Sequence, residues 1–388
     1  MKITIIGAGI AGLTTAIALR KYRPELDLEI FEGSPELKPL GAGLVLAANA
    51  IMAYERLGVS DAVLSVGNVL EHFEVLDSTG RVITRNDNLA INRNLHTVSN
   101  FAVHRADLQR VLLAQIHGTP VHFGKKASDF LQDGHGVLVR FADGTETRTD
   151  YVLATDGIHS VFRKKLLPQS HIRYAGYTCW RGVTDLTGFE NLSGLKLTGA
   201  SETWGLGKRF GIVPLTDGRI YWFACLNAPK QGDGRFAAFG KKELLDTFGD
   251  LHAPIADIIG ATDLARLIWN DIIDFPPVAR FAFDRVLLLG DSAHATTPNM
   301  GQGACQAIEG AAILGNTLAE QPDLAKAFKA FEQKRLKRTA FIVNRSWQIG
   351  KIAQAANPLL ARLRNFAFRL VPASMNERQV RALLDVRY

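Results

Sequence analysis

Cysteine is scarce in this chain: Cys179, Cys225 and Cys305 are the only three among 388 residues. A scattered, odd count supports neither a disulfide framework nor a zinc site, both of which need paired or closely spaced ligands. We therefore expect free thiols, no metal and a reducing, cytoplasmic setting. Membrane-spanning runs are missing as well. The uncharged stretch 3–19, between Lys2 and Arg20, falls short of the ~20 residues that a span needs, and three glycines interrupt it where a signal helix would gain nothing. Compositional extremes are also absent. With 47% hydrophobic and 21% charged residues and a mean hydropathy of +0.04, the chain is not disordered, collagen-like or a coiled coil. There is no internal repeat. The length implies two domains, or one large α/β body with an appended sheet.

Charge of one sign is unevenly placed. Residues 324–388 carry 14 Lys/Arg against 3 Asp/Glu, or +11, so the rest of the +7 chain is −4. This basic end reads as helices with a solvated face, membrane contact being the weaker alternative. Aromatic residues are not interleaved with the basic ones, so a nucleic-acid partner is not expected.

The first thirty residues read strand, turn, helix, strand. Ile3–Ile6 is apolar without alternation, as in a parallel strand covered on both faces. Gly7-x-Gly9-x-x-Gly12 follows, then a helix to about Lys21, then the strand Leu28–Glu32. In this context the glycines serve a tight turn, close approach of a pyrophosphate and close helix–strand packing. Glu32 would accept from ribose hydroxyls and repel a 2′-phosphate. Longer β runs then appear at 172–185, 195–199, 202–206, 209–215 and 219–226, implying an inserted antiparallel sheet. Val286–Leu289 is a further buried strand, and the chain is helical beyond it, with a break at Asn357-Pro358. There Leu359, Leu360, Leu363, Phe366, Ala367 and Leu370 recur at helical spacing opposite Arg362, Arg364 and Arg369.

Two more motifs separate FAD from NAD as the bound dinucleotide. Asp156-Gly157-x-x-Ser160-x-x-Arg163 follows one buried strand. Gly290-Asp291-Ser292-Ala293-His294, with Pro298 and Gly301-Gln302-Gly303, follows another. Together with Gly41-x-Gly43 and Arg105-Ala106-Asp107-Leu108, they resemble the single-component FAD-dependent aromatic hydroxylases, the para-hydroxybenzoate hydroxylase-like flavoprotein monooxygenases, over about residues 1–320. The resemblance implies an α/β fold: a Rossmann-like FAD-binding domain (1–70, 100–170 and 280–320), an inserted β-sheet substrate domain (71–99 and 171–279) and C-terminal helices (321–388). It assigns FAD contacts to Gly7, Gly9, Gly12, Glu32, Gly43, Val45, Arg105, Ala127, Asp156, Asp291, Pro298, Gly301, Gln302 and Gly303. NADH or NADPH would visit as co-substrate, since no second dinucleotide fingerprint exists. The implied chemistry is oxygen transfer from a flavin C4a-hydroperoxide to a small aromatic or unsaturated substrate, by hydroxylation or epoxidation. An FAD oxidase or dehydrogenase without oxygen insertion is the alternative. His294 reads as structural. Ser160 lacks a Gly-x-Ser-x-Gly elbow, which removes a hydrolase.

On the substrate side, Tyr177–Gly182, Gly205–Arg209 and Asp217–Phe223 are similar to bacterial FAD-dependent urate hydroxylases, and Tyr177-Thr178-Cys179 is similar to plant zeaxanthin epoxidases. The urate-hydroxylase likeness makes Arg209 and Tyr221 the catalytic candidates, suited to a planar anionic ring. The alternative keeps Arg209 as a surface charge and Tyr221 as a core residue. Geometry separates the two. A three-residue loop with Gly218 left-handed in a G1 bulge pairs 215 with 219 and puts Arg209 and Tyr221 on one face. A two-residue loop puts them on opposite faces.

Overall fold

The computed structural model describes residues 1–37, 42–95, 97–186, 198–371 and 386. Gly41 lies outside them. The first body is a six-stranded sheet in the order Ala282–Phe283, Val286–Leu288, Tyr151–Ala154, Lys2–Ile6, Asp27–Phe31, Val121–His122. Only Ala282–Phe283 and Val286–Leu288 pair antiparallel; the other pairs are parallel. Ile3, Ile5, Leu28, Ile30, Leu153 and Leu287 are fully buried, because helices or a second sheet cover both faces. Strand register brings the three motif-bearing turns together. Ile6 pairs with Ala154, which pairs with Leu288, so the turns after these three strands start at one level on one edge. That edge is where an open α/β sheet binds its ligand.

The second body is a seven-stranded sheet in the order Ile268–Asp274, Arg173–Asp185, Arg219–Asn227, Lys208–Pro214, Ala200–Trp204, His72–Asp77, Val82–Asp87. The expectation of a wholly antiparallel sheet needs correction at one place: Ala200–Trp204 runs parallel to His72–Asp77. No hairpin joins those two strands, so no tight turn forces them to oppose. The strand expected at 202–206 is Ala200–Trp204, because Gly205 N–H bonds Lys208 O and Gly207 adopts φ +64°, turning the chain. Residues 198 and 199 are not strand, and 195–197 lie outside the described residues. In the next hairpin, Leu215 and Arg219 pair, so Arg209 and Tyr221 share a face. The turn itself differs from a G1 bulge: Asp217 (φ +60°) and Gly218 (φ +69°) are both left-handed.

The C-terminal helices also depart from the simple amphipathic reading. In Pro358–Arg369, capped by Asn357, the leucine stripe faces outward, Leu359 and Phe366 being 66% and 61% exposed. Arg364 is buried instead. It donates to Ala353 O (2.8 Å) and lies over the Trp204 ring, which Phe368 meets edge-on. Packing on Trp204 therefore outweighs hydrophobic patterning here. No helix among the described residues is long and apolar enough to cross a membrane.

Helix Gly303–Glu320 is buried on nearly every side, as its apolar composition requires, yet it carries Glu309 at 0% exposure. That carboxylate is met by Arg335, by Arg338 (2.5 Å) and by Asn49 (2.7 Å). Arg335 and Arg338 sit on the 30-residue helix Leu324–Ala353, and Asn49 on helix Ala48–Leu57. Burial pushes the Glu309 carboxyl up, but Arg335 and Arg338 overcome this and hold it at about 2. Arg335→Met would remove one of the two guanidinium partners of this buried charge and lower unfolding stability by ~3–5 kcal/mol. Because the folded pKa is depressed, the stabilisation is present above about pH 4.5 and lost as pH falls toward 2. In urea unfolding, the gap between the wild type and Glu309→Gln should hold at neutral pH and close across that acid window.

Candidate active site

The three turns of the first sheet and one face of the second enclose a cleft of about 540 Å³. At its dinucleotide end, Gly7 turns at φ +103°, and a Cβ on Gly12 would lie 1.9 Å from Gly7 O. The helix Ile10–Tyr22 thus starts in contact with the preceding turn. A Cβ on Gly9 would meet nothing within 4 Å, so open space lies in front of that helix's free N–H groups. Glu32 is held at the end of its strand by N–H groups of Ala8 (2.7 Å) and Ser34 (2.8 Å). Asp156 accepts from Val161 N–H (2.9 Å) through Oδ2, while its buried Oδ1 has no partner. The fit to a bound dinucleotide rests on an open cradle for phosphate in front of the helix and a carboxylate fixed at the neighbouring strand end.

Further along the cleft, Asp291 is exposed to the open space that the cleft walls enclose. Burial raises its carboxyl above the usual range, with Arg105 and Arg163 pulling it back. Arg163, fully buried over the Phe275 ring, donates to Ile158 O and Ser292 O and so ties the second motif to the third. Ser160 caps its helix by accepting from Arg163 N–H (3.0 Å). His294 is buried, and burial with the nearby Arg335 charge drives it down to about 3, so its imidazole is uncharged at neutral pH. Pro298, Gly301 (φ +62°) and Gly303 reach the cleft at the start of helix Gly303–Glu320. The Gln302 side chain does not. It turns inward and accepts from Asn49 and Gln306, leaving only main-chain atoms for a ligand.

The opposite wall comes from the seven-stranded sheet. Arg209 is 3% exposed, and all three of its nitrogens are engaged: Nε to Gln354 (2.8 Å), one Nη to Glu202 (2.8 Å) and the other to Asn299 (2.9 Å). Burial works against its charge, but Glu202 more than compensates. Tyr221 lies on the same face, with Gly43 so close that a Cβ there would fall 2.5 Å from its ring. Burial raises the Tyr221 phenol, with Arg181 opposing, so it stays protonated. Val213, Phe223 and Ile268 add apolar surface.

The FAD binding domain family matches residues 1–346. The chain is 35% identical over 387 residues to an aurachin C monooxygenase/isomerase from Stigmatella aurantiaca, covering 99% of this chain and 98% of that protein. It is 32% identical over 350 residues to an FAD-dependent urate hydroxylase from Klebsiella pneumoniae, covering 88% of each. The crystal structure of Klebsiella pneumoniae HpxO complexed with FAD and uric acid superposes with a TM-score of 0.86 at 29% identity, covering 99% of this chain and 96% of that one. The chain belongs to this FAD-dependent monooxygenase family.

Among the residues assigned to FAD by resemblance, Gly9, Gly43, Val45, Arg105, Asp291, Pro298, Gly301 and Gly303 line the monooxygenase cleft. Gly7, Gly12 and Asp156 stand behind it. Ala127 lies off it, buried in strand Ala127–Asp133. Lys126 packs on Gly33, which places Ala127 near the Glu32 end. Sequence reasoning missed Arg181, Glu202, Asn299 and Gln354. Glu202 alone left a trace, since a charge inside a β run opposite Arg209's strand invites pairing. Arg209→Gln would leave Glu202 with an unmatched charge, and ~2–5 kcal/mol of stability should be lost in a denaturant titration. Arg209→Lys should recover little, because an ammonium cannot reach three partners fixed by a planar fork.

Proposed function

We propose that this is a cytoplasmic enzyme that consumes one NADH or NADPH and one O₂ per turnover to place one oxygen atom in a planar, oxygen-bearing aromatic ring. The observation that carries this reading is the placement of Arg209, Tyr221 and Arg181 on the cleft wall facing the start of helix Gly303–Glu320. Bound FAD would supply electron carriage and oxygen activation. The chain's own part is to bind, orient and keep dry. Residues 1–70, 100–170 and 280–320 would hold the cofactor: Gly7 and Gly12 shaping the cradle, Gly9 admitting the pyrophosphate, Glu32 meeting the ribose and Ala127 the adenine through its main chain. Asp291 and Arg105 would meet the ribityl–phosphate region. Main-chain N–H groups at Gly301, Gln302 and Gly303, at the positive end of a long helix, would favour negative charge on the ring. Gly43 and Val45, beside Tyr221, and Pro298 would bound the ring's edges, and Asp156 would pack near the phosphates.

Residues 71–99 and 171–279 would hold the substrate. Tyr221, a protonated phenol, offers a hydrogen bond to a ring oxygen. Arg209 contributes fixed positive charge and holds Asn299 in place, acting as a positioning group as much as a binding one. Oxygen-bearing rings recur in the names of similar proteins: urate hydroxylase, and a 2-heptyl-3-hydroxy-4(1H)-quinolone synthase from Pseudomonas aeruginosa that is 30% identical over 97% of this chain. The apolar patch of Val213, Phe223 and Ile268 suits the faces of such rings.

NADH and NADPH oxidation should be followed over a panel of urate, 4-quinolones, phenols and polyenes, with product masses and peroxide measured together. The expected result is a substrate-stimulated rate and a product heavier by one oxygen atom, with little peroxide. Stoichiometric peroxide and no oxygenated product for any compound would identify an oxidase instead. Tyr221→Phe should lower kcat/KM by roughly tenfold, the worth of a lost hydrogen bond of ~1.4 kcal/mol, with flavin content unchanged. Gly9→Ala should leave the apoprotein's unfolding midpoint in place yet weaken FAD uptake in a fluorescence titration, whereas Gly12→Ala should destabilise the apoprotein itself.

A further inference from the structure

Two of the three thiols stand on the cleft wall, and nothing in the oxygenation reading uses them. Cys179 and Cys225 are buried, not joined in a disulfide, and directly opposite each other in the ladder between Arg173–Asp185 and Arg219–Asn227. Antiparallel ladders alternate between pairs that exchange main-chain hydrogen bonds and pairs that do not, the latter holding their side chains closer. Ala228 N–H donates to Gly176 O (3.0 Å) toward one end of this ladder, and Leu186 N–H to Gly218 O (3.1 Å) toward the other. Both of those pairs lie an odd number of residues from Cys179/Cys225. The cysteines are therefore a non-hydrogen-bonded pair, with Cα atoms about 4.5 Å apart. That separation lies within the ~4.4–6.8 Å that a disulfide spans.

The surroundings favour reaction at one sulfur. The Cys179 thiol donates to Trp180 O (3.4 Å) and faces Cys225 across the ladder. Burial pushes Cys179 up, but the neighbouring Cys225 thiol and the charges of Arg181 and Arg209 bring it below the usual thiol range. Cys225 is pushed up by the adjacent Cys179 sulfur and by burial. One sulfur is thus poised as the nucleophile and its neighbour as the resolving thiol. Cys305 has no such neighbour. It sits at the start of helix Gly303–Glu320, its Sγ accepting from Ala47 N–H (3.3 Å).

We propose that Cys179 and Cys225 are a redox modification site for hydroperoxides, closing reversibly to a disulfide in the substrate end of the cleft. The Cys179 thiolate attacks one oxygen of hydrogen peroxide. The O–O bond breaks, hydroxide leaves and takes up a proton as water, and a sulfenic acid remains. The Cys225 sulfur then attacks Cys179 Sγ and displaces hydroxide, which leaves as a second water with the Cys225 proton. Two thiols lose two electrons and one peroxide gains them. Oxygen chemistry that fails to reach a substrate releases this oxidant, so the site's relevance to turnover rests on the monooxygenase reading, whereas formation of the bond does not. The bond would fix the wall between Arg181, two residues beyond Cys179, and Arg209, the partner of Cys225 in the next ladder. It lies apart from the glycine turns assigned to FAD.

The test treats FAD-loaded protein with a small excess of hydrogen peroxide, then counts thiols after denaturation and maps peptides. Expected are a fall from three titratable thiols to one, loss of two hydrogens in mass and a cross-linked peptide joining Cys179 to Cys225. Flavin content should not change, while substrate-stimulated NAD(P)H oxidation should fall roughly tenfold or more, as small misplacements of a binding wall do, and return with dithiothreitol. In Cys225→Ser, dimedone should capture the sulfenic acid at Cys179. Three surviving thiols, oxidation confined to Cys305, or a disulfide that leaves the rate unchanged would overturn the proposal. A disulfide in a protein that proves to be an oxidase would leave the site standing and remove the oxygenation reading.

Discussion

A carboxylate buried without water must be answered by the protein, and the answer given to Glu309 organises this molecule. Desolvating one charge costs several kcal/mol, so its partners cannot be left to chance. Arg335 and Arg338 come from the long helix Leu324–Ala353, and Asn49 from the helix after strand Gly43–Leu46. The same long helix continues to Ser346, whose main-chain carbonyl accepts from Asn299 and whose hydroxyl meets Thr297. It ends at Gln354, which holds Arg209. One strap therefore runs from the buried carboxylate, past the loop that opens helix Gly303–Glu320, to Arg209 on the cleft wall of the seven-stranded sheet. The two sheets are set against each other by this strap as well as by direct contact.

That arrangement gives the cleft two different electrostatic characters. At one end stand helix N-termini and main-chain N–H groups, which cost no reorganisation when negative charge arrives. At the other, Arg209 is shielded by Glu202 and held by neutral amides, while Arg181 keeps weaker company, Asn270 at 3.5 Å. A fully neutralised wall would not distinguish an ionisable ring from an apolar one; a wall of unpaired charge would not stay folded. The mixture of Val213, Phe223 and Ile268 with two guanidinium groups avoids both.

The glycine turns at the first sheet's edge were readable because their signals are local. Gly7, Gly9 and Gly12 follow a strand and open a helix, and each answers a constraint from atoms a few residues away. The motifs at Asp156 and Asp291 also follow buried strands, and parallel register alone carries them to one edge. The common face of Arg209 and Tyr221 could be argued from loop length, although the turn itself took a form with two left-handed residues. Long-range partners left no such trace. Gln354 lies 145 residues from Arg209, and nothing in its neighbourhood marks it as that residue's anchor. The leucine stripe of Pro358–Arg369 misled for a related reason: periodicity reports that a helix has two faces, not which of them finds a partner.

The order of residues thus determined the element types, the three turns at the sheet edge and the family's cofactor, since strand, turn and helix signals act over a few positions. Tertiary structure decided which charges are neutralised, which arginine keeps spare donors and which two thiols face each other, since these depend on how separate ladders and helices pack. A burial free energy is shared among neighbours that meet only after folding, and no single segment carries it.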